Sequence, residues 1–198
     1  MRIIDARSDS LHADAAKQAA GRLDRGLIVG LPTETVYGIG VSAAHRDAVR
    51  KLWESRGGAE DPSGASTLLA WHVSSSEALI KAAPLRSAVH RRLVERLTPG
   101  PVTFSIDLSE SEARTMCERA GAERGVFEDG AQALFRCPSP ELARRVLEHA
   151  RGPVVMASLT LRGAPARTAQ EAAEALSRRV EEGFVPTNSA IDLLDDGA

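Results

Sequence analysis

The stretch "LPTETVYGIG", Leu31 to Gly40, concentrates chemistry in ten residues. Pro32 ends an apolar run, and Thr33, Glu34, Thr35 and Tyr37 set three hydroxyls and a carboxylate directly behind it. In open α/β sheets the carboxyl end of a strand is where ligands sit, so these groups are placed to hold a small polar molecule. A capped turn explains the same residues, with the hydroxyls satisfying nearby backbone groups. Taken alone, the stretch fits both readings. Gly38 and Gly40 permit backbone shapes that other residues avoid.

Other residues could supply the rest of a site. Arg56, in "WESRGG", stands where a helix gives way to a glycine-rich loop, which suits a phosphate; it also suits a cationic last turn answering the helix dipole. Arg136, in "FRCP", is a charge inside an apolar strand-like run, and such a charge wants a partner or an anionic ligand. Ser158 and Thr160 lie just past another strand, and Thr168 caps a helix whose N-terminus can take an anion. His72, in "AWHV", is a ligand contact or a satisfied core histidine. No Gly-Lys-Ser/Thr loop, nucleophile elbow or dinucleotide glycine fingerprint occurs. Cys117 and Cys137 are far apart, and no His or Cys pair has zinc spacing, so no protein-bound metal is expected.

These residues need a scaffold, and the periodicity supplies one. Helices are expected from Leu11 to a stop at Gly26, over 43–58, in two pieces over 74–97 broken at Pro84, and in "SEARTMCERAGAERG", "SPELARRVLEHARG" and "TAQEAAEALSRRVEEG". Strands are expected in "LIVGLP", "STLLAWHV", "PGPVTFSIDLS", "AQALFRCP", "PVVMASLT" and "SAIDLL". Their alternation makes the chain α/β. No composition shift marks a boundary, so residues 1–198 read as one domain. The long irregular segment is 56–67.

A net charge of −2 excludes a globally basic nucleic-acid binder. Two cysteines in 198 residues are no secreted disulfide scaffold. No signal core and no run of membrane-spanning length is present, so the expectation is a soluble, cytoplasmic protein with no membrane contact.

In order along the chain, "LPTETVYGIG", "LWESRGG", "LLAWHV", "LTPGPVTFSI", "LFRCPSPELARRVLE" and "PVVMASLTLRGAPARTAQE" resemble the YrdC-like family of threonylcarbamoyl-AMP synthases, over about Ala15 to Leu193. The resemblance implies a twisted open mixed sheet with helices around a concave cavity. It implies formation of threonylcarbamoyl-AMP from L-threonine, bicarbonate and ATP, with Mg²⁺ bridging the phosphates. The product would serve tRNA modification, with tRNA or tRNA-modifying proteins as partners. By position in the motifs, Thr33, His72, Arg136 and Ser158 would bind L-threonine, and Arg56, Thr160 and Thr168 would line the ATP side. No covalent nucleophile is needed.

The departures from the family pattern fall on the ATP side. The usual Lys-Gly-Arg-Pro reads Arg56-Gly57-Gly58-Ala59, and the usual Ser-Ala-Asn-x-Ser-Gly reads Ser158-Leu159-Thr160-Leu161-Arg162-Gly163. They motivate a second reading: a non-catalytic paralogue of the same fold that binds RNA, a nucleotide or a small amino acid.

Overall fold

The structure is a computed structural model and describes residues 2–6, 8–55, 68–161, 163–181 and 192–195. Among them an eight-stranded sheet runs in the order β1 (Arg2–Asp5), β10 (Asp192–Asp195), β2 (Val29–Leu31), β3 (Gly38–Ser42), β7 (Val154–Ser158), β4 (Ala70–His72), β6 (Gln132–Arg136) and β5 (Thr103–Asp107). β1, β10 and β2 are parallel, as are β4 and β6, and the other neighbours are antiparallel. The open mixed α/β sheet expected from the sequence is present.

Strand alternation sends successive side chains to opposite faces. On β7, Val155 and Ala157 join one core cluster and Val154 and Met156 the other. The first face, with Ile39, Val41 and Phe135, packs against Leu52 of α2 (Arg46–Ser55), Leu79 of α3 (Ser76–Ala82), Val94 of α4 (Ala88–Leu97), Met116 of α5 (Glu110–Ala120) and Leu176 of α7 (Ala169–Glu181). The second face, with Val29, Leu31 and Met156, packs against α1 (Asp9–Leu23) and α6 (Glu141–His149). Small side chains on α1, Ala15, Ala16, Ala19 and Ala20, let it lie close to Leu142 and Val146 of α6.

This second cluster takes no residue from β4, β6 or β5. The positions that those strands turn to this face are mostly polar: His72, Gln132, Arg136, Thr103, Ser105 and Asp107. A covering helix would have to desolvate them without partners, which is costly. One face of the sheet is therefore covered by helices from β3 to β6, and the other is bare over β4, β6 and β5. The uncovered part is the concavity.

Local chemistry explains the element ends. Ser75 and Ser87 cap α3 and α4 by accepting from the amides of Ala78 and His90, both at 3.1 Å, on either side of the Pro84 break. Ser109 and Glu112 form a capping box on α5, and Gly121 closes that helix with φ +66°. The expected stop at Gly26 is a turn just past α1, with φ +71° and its would-be Cβ 2.9 Å from the His45 ring.

Four strands lie outside the sequence-based expectation: β1, β3, and the two that form a small hairpin, β8 (Thr160–Leu161) and β9 (Ala164–Pro165). β3 also corrects the reading of its glycines. Gly38 and Gly40 are not in the left-handed region. They are strand residues that make room for β7: a Cβ at Gly38 would meet Met156 Cε at 2.9 Å and the Ala157 carbonyl oxygen at 3.2 Å. Their role is close approach of backbones.

Two glycine substitutions should therefore act with opposite sign. Gly38→Ala overpacks the β3–β7 seam and should cost about 1–3 kcal/mol. Gly21→Ala, in α1 with nothing within 4 Å of its Cβ position, should stabilise by about 0.5–1 kcal/mol. Urea midpoints at constant m-value check both, and a stabilising Gly38→Ala would contradict this packing.

Candidate substrate-binding site

Register brings the polar residues together. Arg136 on β6 lies opposite His72 on β4 and opposite Thr103 on β5, and Ser158 on β7 lies opposite Gly38 on β3. A cleft of about 120 Å³ opens over these positions, lined by Thr33, Thr35, Gly38, His72, Arg136 and Ser158 among others. All four residues expected on the threonine side share this one cleft. That volume suits a small molecule and is below the range of drug-sized ligand sites. A larger cavity of about 690 Å³ is lined by Trp71 and lies on the other face of the sheet. Chemistry assigns the site to the smaller one, because it holds the convergent polar groups.

The turn between β2 and β3 is built by its own hydroxyl. Thr33 Oγ1 accepts from the amides of Val36 (3.2 Å) and Thr35 (3.3 Å) and donates to the Val36 carbonyl (2.6 Å). The capped-turn reading of "PTETVYG" holds, and the residue that caps the turn also lines the cleft. Glu34 then reaches across the sheet. Its Oε1 accepts from Arg136 Nη2 at 2.6 Å and its Oε2 from the Ser139 amide, just ahead of α6, at 2.9 Å. Thr35 Oγ1 accepts a second bond from Arg136 Nη2 at 3.1 Å. Arg136 Nε is buried without a partner, and Nη1 makes no bond, among the described residues. An unpaired buried donor costs about 1–3 kcal/mol, a cost that clusters at functional positions. From the sequence, Glu34 and Thr35 are polar groups of the turn with no partner assigned, and Thr103 and Ser139 carry no signal of their own. The signal for Glu34 was there: a charged strand residue at 136 required a counter-charge.

Burial pushes the Glu34 carboxyl up, but the Ser139 amide and the Arg136 guanidinium outweigh it and hold the group below the usual carboxylate range. Glu34 is an anion in the folded chain. His72 Nδ1 lies 2.9 Å from the Ala70 carbonyl, which can only accept, so Nδ1 carries the proton and Nε2 is the ring's acceptor. Burial lowers the His72 pKa to about 4, with the positive charge of Arg136 adding to the effect. His72 is thus a neutral hydrogen-bond acceptor at neutral pH.

The nucleotide-side residues stand apart. Thr160 on β8 accepts from Arg179 of α7 at 3.5 Å. Thr168 Oγ1 accepts from the Glu171 amide at 3.1 Å, and the Glu171 carboxylate accepts from the amides of Arg167 (2.7 Å) and Thr168 (3.3 Å). The start of α7 therefore already holds an anion of its own, and Thr168 serves as the cap expected of it. Neither Thr160 nor Thr168 lines the cleft. Arg56 and Arg162 lie outside the described residues. No metal-ligating cluster of His, Cys, Asp or Glu occurs among the described residues.

On a mixed α/β sheet with a half-covered face, a guanidinium, a neutral imidazole and hydroxyls converge on one cleft, a chemistry complementary to a small zwitterionic or anionic molecule. The chain belongs to the Sua5/YciO/YrdC family: the profile of that family, described as telomere recombination, matches residues 22–193. It is 31% identical over 166 residues to a threonylcarbamoyl-AMP synthase of Pyrococcus abyssi, covering 82% of this chain and 44% of that protein. It is 31% identical over 157 residues to a threonylcarbamoyl-AMP synthase of Bacillus subtilis, covering 78% and 40%. The P. abyssi Sua5 structure complexed with L-threonine superposes with a TM-score of 0.74 at 26% identity, covering 100% of this chain and 51% of that one. The chain spans about half the length of the curated relatives it matches.

The low His72 pKa carries a pH signature. Between about 6.5 and about 4 the unfolded chain binds a proton that the folded chain excludes, so this contribution to stability is present above that window and lost as pH falls through it. Wild type should lose about 2 kcal/mol from this source between about pH 7.5 and about pH 5. His72→Gln should lose correspondingly less over the same interval, measured by urea denaturation. Equal losses in the two chains would show that His72 is not buried neutral.

Proposed function

We propose that this chain is a threonylcarbamoyl-AMP synthase domain that binds L-threonine in the cleft around Arg136. The single observation that carries the reading is the convergence of Thr33, His72, Arg136 and Ser158 on that cleft. It is supported by relatives that bear the synthase name and by a relative whose structure holds L-threonine. These names also favour the synthase over a non-catalytic binder.

The site's charges fit a zwitterion. Arg136 offers a guanidinium to the substrate carboxylate, where two-point hydrogen bonding is the natural geometry. Glu34 neutralises and fixes that guanidinium, so the cleft can take up one anion without a large unpaired charge beforehand. His72 Nε2 and Ser158 present acceptors to the amine and the side-chain hydroxyl, and Thr33, whose hydroxyl is used within the turn, lines the cleft beside them. A neutral His72 accepts an amine N–H without adding positive charge.

The threonine ammonium gives up a proton to solvent, the free amine attacks the carbon of bicarbonate, or of CO2 derived from it, and water leaves as the carbamate forms. A carbamate oxygen then attacks the α-phosphorus of ATP, and pyrophosphate departs. Both reactants are anionic, so the protein's contribution is positioning and charge compensation. Mg²⁺ enters with ATP as part of the substrate. Arg56, Thr160 and Thr168 face the nucleotide in this reading. For Thr168 to contact a phosphate, the Glu171 carboxylate has to yield its place at the α7 start.

Residues 1–198 act as one domain in this proposal, supported by β1 and β10 from opposite ends of the chain pairing in one sheet. The tRNA whose adenosine receives the threonylcarbamoyl group, or the proteins that act on it, would be the downstream partners, in the cytoplasm. No helix among the described residues is long and apolar enough to cross a membrane.

Pyrophosphate release should require L-threonine, bicarbonate and Mg²⁺–ATP together. Arg136→Ala should raise the L-threonine Kd by about 100-fold, and Glu34→Gln by about tenfold, because the amide keeps the shape but releases the guanidinium. Calorimetry with L-threonine measures both. Unchanged threonine affinity in Arg136→Ala would remove the basis of the assignment.

A further inference from the structure

A cavity larger than the cleft has no part in this chemistry. It lies on the covered face of the sheet, between α3 and α5, and encloses about 690 Å³. Trp71 lies at its floor, on β4 immediately before His72, and alternation turns the two side chains to opposite faces. The indole is backed by Phe127 and Phe135, with ring centroids 5.0 and 5.5 Å away, so its remaining surface is what the cavity meets. Ala78, Ala82 and Met116 add apolar wall. Two cations line this cavity, Lys81 from α3 and Arg119 from α5, with one carboxylate, Glu112, whose charge is answered by Arg86. Other arginines nearby are spent: Arg86 is paired with Glu112 at 2.7 Å, and Arg124 with Glu110 and Glu128. Lys81 and Arg119 have no ion-pair partner among the described residues.

An aromatic floor, apolar walls and one uncompensated cation on each side are complementary to a flat apolar group that bears an anionic substituent. We propose that this cavity is a second binding site, for a planar ring carrying a carboxylate or phosphate, with the ring on Trp71 and the anion between Lys81 and Arg119. It is separate from the Arg136 cleft and needs no member of it.

The test uses the full chain labelled with 5-fluorotryptophan, with the Trp71 resonance assigned by comparison with Trp53→Phe. The probes are adenosine monophosphate and phenylacetate, each beside its neutral counterpart, adenosine or phenylacetamide. At least one anion should shift the Trp71 resonance saturably at submillimolar concentration, with its counterpart at least about tenfold weaker. Response to only the nucleotide or only the carboxylate assigns the natural ligand to phosphates or carboxylates. The double variant Lys81→Glu, Arg119→Glu should lose at least about tenfold in probe affinity while keeping its affinity for L-threonine. Arg136→Ala should leave the Trp71 response intact. The proposal is overturned if neither anion moves the resonance, if the neutral compounds bind as well, or if the double variant binds like wild type. It is equally overturned if Arg136→Ala abolishes the response, which would place the probe in the cleft. Failure here leaves threonine-dependent pyrophosphate release unaffected, and the converse also holds.

Discussion

One ion pair ties the functional half of the molecule together. Glu34 and Arg136 are 102 residues apart in the chain and meet at 2.6 Å, with side chains 17% and 19% exposed. Such a pair gains little net stability, because the desolvation of both charges offsets their attraction. Its effect is geometric. Through Glu34 the turn after β2 is fastened both to the middle of the sheet and to the backbone entering α6. Through Thr35 the same turn takes the other bond from Arg136 Nη2. Backbone bonds from Tyr37 N–H to Ala166 and from Leu159 N–H to Tyr37 hold the end of the turn beside β7, and the ion pair adds its link to β6 and α6.

The pair works because the sheet is covered unevenly. Helices pack an apolar layer on one face across β3, β7, β4 and β6, whereas α1 and α6 cover the other only as far as β7. Beyond that limit the strands present His72, Arg136 and Thr103 side by side. The far end of β6 is held separately. Glu128 is fully buried and accepts from Arg124 Nε at 2.7 Å and from the amides of Gly125 (2.9 Å) and Gly130 (2.7 Å). Burial pushes its carboxyl up, and those donors hold it below the usual range. With both ends of β6 fixed, the strand that carries Arg136 has little room to shift.

Much of this was legible before any coordinates. The amphipathic helices, the Pro84 break and the serine caps follow from local patterns that depend on few distant residues. Thr33, His72, Arg136 and Ser158, which the resemblance of motifs would assign to L-threonine, line one cleft. What was not legible depends on pairing. β3 has glycines where a strand pattern expects β-branched residues, and its reason for existing is Met156 on the neighbouring strand. β1 needs β10, from the other end of the chain, to become a strand. Glu34 looked like one polar group among several until Arg136 appeared opposite it. Thr168 looked open to an anion, and Glu171, three residues on, supplies one.

The account turns on whether the guanidinium fixed by Glu34 receives the carboxylate of L-threonine. A crystal structure of this chain with L-threonine decides it. The expected result is the ligand carboxylate within hydrogen-bond distance of Arg136, the amine near His72 Nε2, and the Glu34–Arg136 bond retained. Threonine seated elsewhere, or a Glu34 carboxylate that has left Arg136 to make room, would contradict the account.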